Sequence, residues 1–167
     1  TQKYDIFEKA GIDVIYEMNF DEQIMHLSPT EFINRFLADH LKVKGIVVGY
    51  DYRFGYKAKG TVRELEELCA DLKIRLAVKD AVTYEGEVIS STRIRRAIKD
   101  GEPELAHHLL GRPFSIEGTV VKGKQLGRTI GIPTANLLLN THYVTPKFGV
   151  YLAKVSVEGR SYYAATH

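Results

Sequence analysis

The stretch that decides the fold class runs from GIVVGY (45–50) through a helical pattern at 61–73 to IRLAVKD (74–80). The two short segments are rich in β-branched residues, as strands are, and the pattern between them places apolar residues on one helix face. A strand, a crossover helix and a second strand make the unit from which right-handed parallel sheets are built. The N-terminal part of the chain is therefore predicted to be α/β with a parallel sheet.

Three further elements are predicted on the N-terminal side of this unit. Residues 2–10 have a helical pattern, and IDVIYEM (12–18) has the composition of a strand. SPTE (28–31) predicts a helix start, with Ser as N-cap, Pro at the first helical position and Glu closing a capping box. Because the chain begins with a helix, an earlier strand and its loop are expected to lie outside this sequence.

The pattern changes towards the C-terminus. Two helices are predicted at 91–99 and 103–110, and short β-type segments punctuated by glycines follow from Phe114 onward. We therefore predict a boundary at residues 110–113, which divides the chain into an α/β part (1–110) and an all-β part (111–167). The last β-type segment, residues 161–165, has no partner strand after it.

Composition narrows the classes of protein that this chain can be. Of 167 residues, 44% are hydrophobic and 26% charged, as in globular proteins, and no apolar run reaches the ~20 residues of a membrane span. The lone Cys69 lies in a helical pattern and is expected to be buried. A single thiol cannot form an internal disulfide, which favours a reducing cytoplasm. Residues 1–110 carry a net charge of −3 and residues 111–167 one of +5. The basic part suits an anionic ligand, or is merely a basic surface.

The first candidate site is ISSTRIRR (89–96), at a predicted helix start. Hydroxyl side chains there are usually N-caps. Arg93, Arg95 and Arg96, however, crowd the positive end of the helix dipole, where cations are unfavourable unless an anion lies among them. Free backbone N–H groups, hydroxyls and guanidinium groups together favour a phosphate site.

The second candidate site is GYDYRFG (49–55), in a loop that runs on to Gly60 after a strand predicted to be buried. Ligands bind beyond the carboxyl ends of strands in doubly wound sheets. Glycines there let the backbone approach a ligand, and aromatic rings can stack on a planar heterocycle. The alternative is an ordinary glycine-rich connecting loop.

The third candidate site spans residues 118–136. Its glycines permit close backbone approach, and Lys122 and Arg128 supply positive charge. Thr134 and Asn136 are two residues apart, so in an extended strand their side chains point to the same face. Such neutral oxygen donors suit Mg²⁺, which takes its other ligands from phosphates and water. The alternative is a plain hairpin with polar turns.

Taken together and in this order, the motifs GYDYRFG (49–55), ISSTRIR (89–95) and GRTIGIPTAN (127–136) resemble those of bacterial FAD synthetases of the bifunctional riboflavin kinase/FMN adenylyltransferase family. The resemblance covers nearly the whole chain. It implies an incomplete Rossmann-like nucleotidyltransferase domain followed by an incomplete all-β riboflavin-kinase-type barrel. It also implies two ATP-dependent reactions, the phosphorylation of riboflavin to FMN and the transfer of AMP from ATP to FMN, which yields FAD and pyrophosphate.

The resemblance also assigns expected roles to residues. In the adenylyltransferase, ATP phosphates would be held by Ser90, Ser91, Thr92, Arg93 and Arg95. The flavin and nucleotide pocket would include Gly49, Asp51, Arg53, Phe54 and Gly55. In the kinase, Gly123 and Arg128 would contact ATP phosphates, and Thr134 and Asn136 would serve Mg²⁺ and ATP. The expected partners are a nucleotide and a flavin, without nucleic acid or membrane; the oligomeric state is left open.

Two family features are missing from this sequence: the upstream H-x-G-H signature of the adenylyltransferase and the downstream glutamate expected to act as the kinase base. The chain is therefore expected to be a piece with weak or no activity of its own. Three other interpretations stay open. They are another nucleotidyltransferase, such as a pantetheine-phosphate or nicotinamide-nucleotide adenylyltransferase, a nucleic-acid or anion-binding module that uses the basic end, and a non-catalytic interaction fragment.

Overall fold

The computed structural model describes residues 2–123, 131, 134–139 and 143–167. The chain divides into two compact units, Thr1–Ala81 and Val82–His167. The two helices that follow residue 90 therefore group with the C-terminal strands. The predicted boundary between residues 110 and 111 lies inside the second unit and stays a prediction.

The first unit contains the predicted strand–helix–strand arrangement. Its elements are α1 (Gln2–Lys9), α2 (Glu22–Met25), α3 (Pro29–Glu31) with a π-helical continuation (Phe32–His40), β1 (Gly45–Gly49), a 3₁₀ turn (Tyr56–Ala58), α4 (Val62–Asp71) and β2 (Arg75–Lys79). Strands β1 and β2 pair in parallel, with Ile46 opposite Leu76. The prediction of a parallel sheet is thus confirmed.

Local sequence sets where the helices of this unit begin. The Ser28 hydroxyl accepts a hydrogen bond from the Glu31 N–H (3.2 Å), and the Glu31 carboxylate accepts one from the Ser28 N–H (3.0 Å), which confirms the predicted capping box. These bonds from the Ser28 backbone and hydroxyl lower the pKa of Glu31. At the start of α4, the Thr61 hydroxyl accepts from the Glu64 N–H.

A small apolar core holds the first unit together. Its buried members are Ile33, Phe54, Leu65, Cys69 and Ile74. Leu65 and Cys69 lie four residues apart on one face of α4, so both reach the same interior. Burial raises the pKa of the Cys69 thiol, in agreement with the prediction that this cysteine acts as a small buried hydrophobe.

Two predictions for the first unit are wrong. Residues 12–18 do not form a strand, and Val14 is 80% exposed. Strand composition is insufficient there because a strand also needs a neighbour to satisfy its N–H and C=O groups. Strand β1 is not buried, since Val47 is 68% exposed. Parallel strands are buried when helices cover both faces of the sheet, and in the part of the chain that the structure describes the face of this two-stranded sheet that carries Val47 stays open.

The described residues of the second unit form a helix pair and three antiparallel strand pairs. Its elements are β3 (Thr83–Tyr84), β4 (Glu87–Val88), α5 (Ser91–Asp100), α6 (Pro103–Leu110), β5 (Gly118–Val121), β6 (Asn136–Leu139), β7 (Tyr151–Val157) and β8 (Arg160–Thr166). Both predicted helices are confirmed, including the start of α6 at Pro103. The predicted terminal strand is β8, which pairs with the preceding β7.

The core of the second unit lies between its two helices. Ala97 and Ile98 of α5 are buried against Ala106 and Leu109 of α6, and Val144 packs on this cluster. The Lys147 N–H also donates to the Ile98 carbonyl at 3.3 Å. The C-terminal end of α5 is therefore covered by protein, which leaves its N-terminal end as the part that can face a ligand.

Candidate functional site

The predicted pocket residues of segment 49–55 divide between surface and interior. Gly49, Asp51 and Arg53 are exposed, where a ligand can reach them. Phe54 is only 4% exposed and belongs to the core of the first unit. Its ring lies 5.7 Å from that of Tyr52, and burial raises the pKa of the Tyr52 hydroxyl. Tyrosine is protonated at neutral pH in any case, and its hydroxyl can donate a hydrogen bond.

The glycines that flank Phe54 are required by packing. Gly55 has φ 71° and ψ −179°, a conformation that is essentially restricted to glycine. A Cβ there would lie 2.6 Å from the Pro29 nitrogen, and one at Gly60 would lie 2.8 Å from the Phe54 ring. The glycine-rich signal in this loop thus reflects close packing within the protein, at least at these two positions.

In the second unit, the segment 90–96 forms the start of α5 as predicted. The Ser90 hydroxyl accepts a hydrogen bond from the Arg93 N–H at 3.2 Å, so Ser90 is the N-cap. The cap uses one lone pair of the hydroxyl, whose O–H can still donate to an anion. The first candidate site and the ordinary interpretation of a capping serine are therefore compatible.

Arg93 makes three contacts with the β3–β4 hairpin. Its Nη1 donates to the carbonyl oxygens of Tyr84 (3.0 Å) and Glu87 (2.9 Å), and its Nε lies 3.2 Å from Glu87 Oε2. The Arg93 side chain is only 10% exposed. Much of this guanidinium group is thus already bound to protein acceptors.

A cavity of about 270 Å³ opens beside the first turn of α5. Its lining consists of Glu87, Val88, Ser90, Thr92, Arg93 and Arg96. Among the predicted phosphate ligands, the structure brings together the serine, the threonine and the first arginine at this cavity. Ser91 and Arg95 are exposed and do not line it.

Arg96 also lines the cavity. The sequence places it among the arginines at the helix start, but the ligand set that the resemblance implies omits it. It follows Thr92 by four positions, so both side chains lie on one face of α5. Helical periodicity would have identified it once the helix start was assigned to Ser90. The hairpin that supplies Glu87 and Val88 was missed, because strands of two residues give no periodic signal.

The structure describes part of the third candidate site, residues 118–123, 131 and 134–136. Strands β5 and β6 pair with Val121 opposite Asn136, and the Asn136 amide lies directly over Gly123, where a Cβ would overlap it. The structure therefore brings two of the predicted kinase residues together. Thr134 is exposed and lies just before β6, and Arg128 lies outside the described residues.

No cluster of three or more His, Cys, Asp or Glu side chains in the described residues could hold a metal ion. Among the same residues, no helix has the length and apolarity to cross a membrane.

Comparison with family models gives two matches along this chain. The FAD synthetase model matches residues 1–93, and the riboflavin kinase model matches residues 110–167. The first match ends within the first turn of α5, and the second begins at the last residue of α6.

Curated relatives and a solved structure are similar over most of the chain. Proteins named bifunctional riboflavin kinase/FMN adenylyltransferase are 41% identical in Listeria monocytogenes and 39% identical in Bacillus subtilis, each over 160 residues, which is 96% of this chain and 50% of the relative. A crystal structure described as a macrolide-efflux protein from Streptococcus pneumoniae has a TM-score of 0.89 at 35% identity, over 98% of this chain and 52% of that one. The chain spans about half the length of the curated relatives it matches. It belongs to the FAD synthetase family, with a riboflavin kinase region following the FAD synthetase region.

Proposed function

We propose that this chain serves flavin cofactor biosynthesis, in the ATP-dependent phosphorylation of riboflavin to FMN and the adenylylation of FMN to FAD. The observation that carries the proposal is the succession of an FAD synthetase match and a riboflavin kinase match on one polypeptide. Residues 1–110 would belong to a Rossmann-like adenylyltransferase domain and residues 111–167 to a kinase barrel. The reactants are small molecules, ATP and flavins, which are cytoplasmic metabolites.

The adenylyltransferase site would lie at the start of α5. A phosphate oxygen of FMN attacks the α-phosphorus of ATP, and pyrophosphate leaves. Such transfers depend chiefly on positioning and on stabilisation of phosphate charge. Ser90, Thr92 and Arg96 line one cavity at the first turn of the helix. Two hydroxyls and a guanidinium group at a helix N-terminus are suited to that task. Ser91 and Arg95 would complete the set from the exposed part of the same turn.

The flavin and nucleotide pocket of the adenylyltransferase would be built on the loop after β1. Asp51 and Arg53 are exposed polar residues that can hydrogen-bond a ligand, and Gly49 permits backbone approach. Phe54 and Gly55 would shape this pocket from within, because the first is buried and the second packs on Pro29.

The kinase site would lie at the β5–β6 hairpin. The Asn136 amide occupies the space over Gly123 that the side chain of any other residue would fill, with its Nδ2 nearer to the glycine than its Oδ1. The side-chain oxygen of Asn136 is the atom that would bind a cation. This donor fits Mg²⁺, which accepts one or two protein oxygens and completes its shell with phosphates and water. Thr134 and Asn136 would hold the ion, with Gly123 and Arg128 facing the ATP phosphates. Mg²⁺ neutralises phosphate charge when it is bound.

The test is a graft in which this chain replaces the matched region of the Listeria monocytogenes relative, with which it is 41% identical. Given riboflavin, ATP and Mg²⁺, the graft should produce both FMN and FAD, measured by chromatography with fluorescence detection. The chain by itself should produce little of either, because it spans half of such a relative. A folded graft that makes neither flavin contradicts the proposal.

Two substitutions in the graft separate the two reactions. Thr92→Val should lower FAD formation more than FMN formation, and Asn136→Ala should do the reverse, because the two residues are assigned to different sites. Equal loss of both products from either variant would contradict the assignment. Salt-sensitive binding of the chain to DNA or RNA, unaffected by ATP and Mg²⁺, would favour the nucleic-acid-binding interpretation instead.

A further inference from the structure

The β3–β4 hairpin forms one wall of the cavity beside α5, and it is too short to be stable by itself. Only two residue pairs join its strands, Thr83 with Val88 and Tyr84 with Glu87. Its two turn residues, Glu85 (φ 54°) and Gly86 (φ 78°), both have positive φ, as a type I′ hairpin turn requires. The wall therefore depends on contacts with the rest of the second unit.

Arg93 supplies the polar part of those contacts. Arginine has five N–H donors in a fixed planar fork, and both Nη1 and Nε of Arg93 are directed at the hairpin. The two carbonyl acceptors belong to residues on opposite strands, so one guanidinium group joins both strands to the first turn of α5. A lysine cannot reproduce this, since its ammonium is a single point of charge without the fork.

Arg93 also neutralises an unfavourable charge. The Glu87 carboxylate lines the same cavity as the predicted phosphate ligands, where a negative charge would repel a phosphate. The ion pair at 3.2 Å offsets that charge, although the carboxylate is 66% exposed and therefore well screened by solvent. The two carbonyl bonds are thus expected to matter more than the ion pair.

We propose that Arg93 is a positioning residue, which holds the β3–β4 hairpin against the start of α5 so that Ser90, Thr92 and Arg96 face a formed cavity. This inference rests on the proposed ATP site at α5. It differs from the role given to Arg93 by family resemblance, because the arginine acts on the hairpin and Arg96 contributes the guanidinium that faces the phosphates.

The experiment compares Arg93→Met, Arg93→Lys and Arg96→Met in the 167-residue chain, with two measurements on each. Hydrogen exchange of the Ile89 amide, which donates to the Val82 carbonyl at 2.8 Å, reports closure of the hairpin base without nucleotide. Calorimetric titration with ATP at low and high salt reports binding and its dependence on charge. Circular dichroism verifies that each variant retains its helices.

Both Arg93 variants should speed Ile89 exchange and weaken ATP binding, each by about tenfold, the effect of losing one or two hydrogen bonds from a charged group. The remaining ATP affinity of Arg93→Lys, which keeps the positive charge, should have the salt dependence of the unaltered chain. Arg96→Met should also weaken binding by about tenfold, with unchanged exchange and a smaller salt dependence, because it removes a charge that faces the phosphates. Glu87→Gln combined with Arg93→Met should restore only a minor part of the affinity.

Three results would overturn the inference alone: unchanged exchange in Arg93→Met, ATP affinity in Arg93→Met equal to that of the unaltered chain, or full ATP affinity in Arg93→Lys, because the charge would then suffice without the guanidinium fork. Complete rescue by Glu87→Gln would overturn the role of the carbonyl bonds. If the unaltered chain binds no ATP, the proposed ATP site at α5 fails and this inference fails with it, whereas the three results above leave that site in place, so the two failures are distinguishable.

Discussion

Segments 49–55 and 90–96 both carry residues that the sequence predicts to approach a ligand, and the structure gives them different surroundings. In the first, Phe54 is in the core and Gly55 packs on Pro29. In the second, Thr92 and Arg96 are exposed beside a cavity, while Arg93 is anchored to a hairpin. In both segments, some of the residues predicted to contact a ligand pack against the protein and others stay exposed. Their spacing in the sequence does not show which residues do which.

The largest expected effect tests the packing role of the first segment. Gly55→Ala should destabilise the chain by about 4 kcal/mol, because it adds a strained backbone conformation to a clash with the Pro29 backbone. The matched control is Gly86→Ala, where φ is also positive but no atom lies within 4 Å of the new Cβ, and a cost of about 1 kcal/mol is expected. Urea denaturation measures both. Equal midpoints for the two variants would remove the distinction drawn for Gly55.

A smaller effect is expected at the start of α5. Ser90→Ala should cost about 1 kcal/mol of stability, since it leaves the Arg93 N–H without its cap acceptor. Ser91→Ala is the matched control, and as an exposed first-turn position it should change stability by less than about 0.5 kcal/mol. The same urea titrations apply. A greater loss from Ser91→Ala than from Ser90→Ala would mean that the helix start is assigned wrongly.

The pH dependence of stability tests the packing around Phe54 through its neighbour Cys69. Burial raises the pKa of this thiol in the folded chain. The stabilisation of the fold by the protonated thiol is therefore fully present below the ordinary thiol pKa of about 8.5, and it is lost as pH rises through the raised value. Stability should therefore decline above about pH 8.5. Cys69→Ala should lower stability at all pH values but reduce that slope. An unchanged slope would show that the thiol is solvated in the folded chain.

The smallest effect concerns the capping box that Ser28 and Glu31 form. Pro29, against which Gly55 packs, lies between these two residues. Hydrogen bonds from Ser28 lower the pKa of Glu31. The stabilisation of the fold by the ionised carboxylate is therefore present above the ordinary Glu pKa of about 4.3, and it is lost as pH falls through the lowered value. Glu31→Gln should reduce the loss of stability between about pH 5 and pH 3, as followed by urea midpoints. A variant with the acid sensitivity of the unaltered chain would argue against the capping box in solution.

Much of the secondary structure was predictable from local chemistry. The start of α3 followed from Ser28 and Glu31, and that of α6 from Pro103, because caps and proline act within one helical turn. The segment 12–18 and the buried character of β1 were not predictable, since both depend on neighbouring strands. The β3–β4 hairpin was missed for a different reason, as two-residue strands are too short to show a period.

The candidate site was predictable in location more than in detail. The crowding of arginines at residues 93–96 indicated the helix start where the cavity lies. The sequence could not say that Arg93 would turn to the hairpin while Arg96 would line the cavity. The two arginines are three positions apart on one helix, and the choice between them depends on a hairpin that the sequence pattern does not indicate.

The sequence by itself determined the family, the parallel strand–helix–strand unit and the residues at which the main helices begin, because motifs, hydrophobic periods and caps are encoded within a few neighbouring positions. Only the tertiary structure decided which glycines serve packing, which aromatic ring is buried and which arginine is held by protein carbonyls. Those outcomes depend on groups brought together from distant positions, where a hydrogen bond or a close contact has no trace in local spacing.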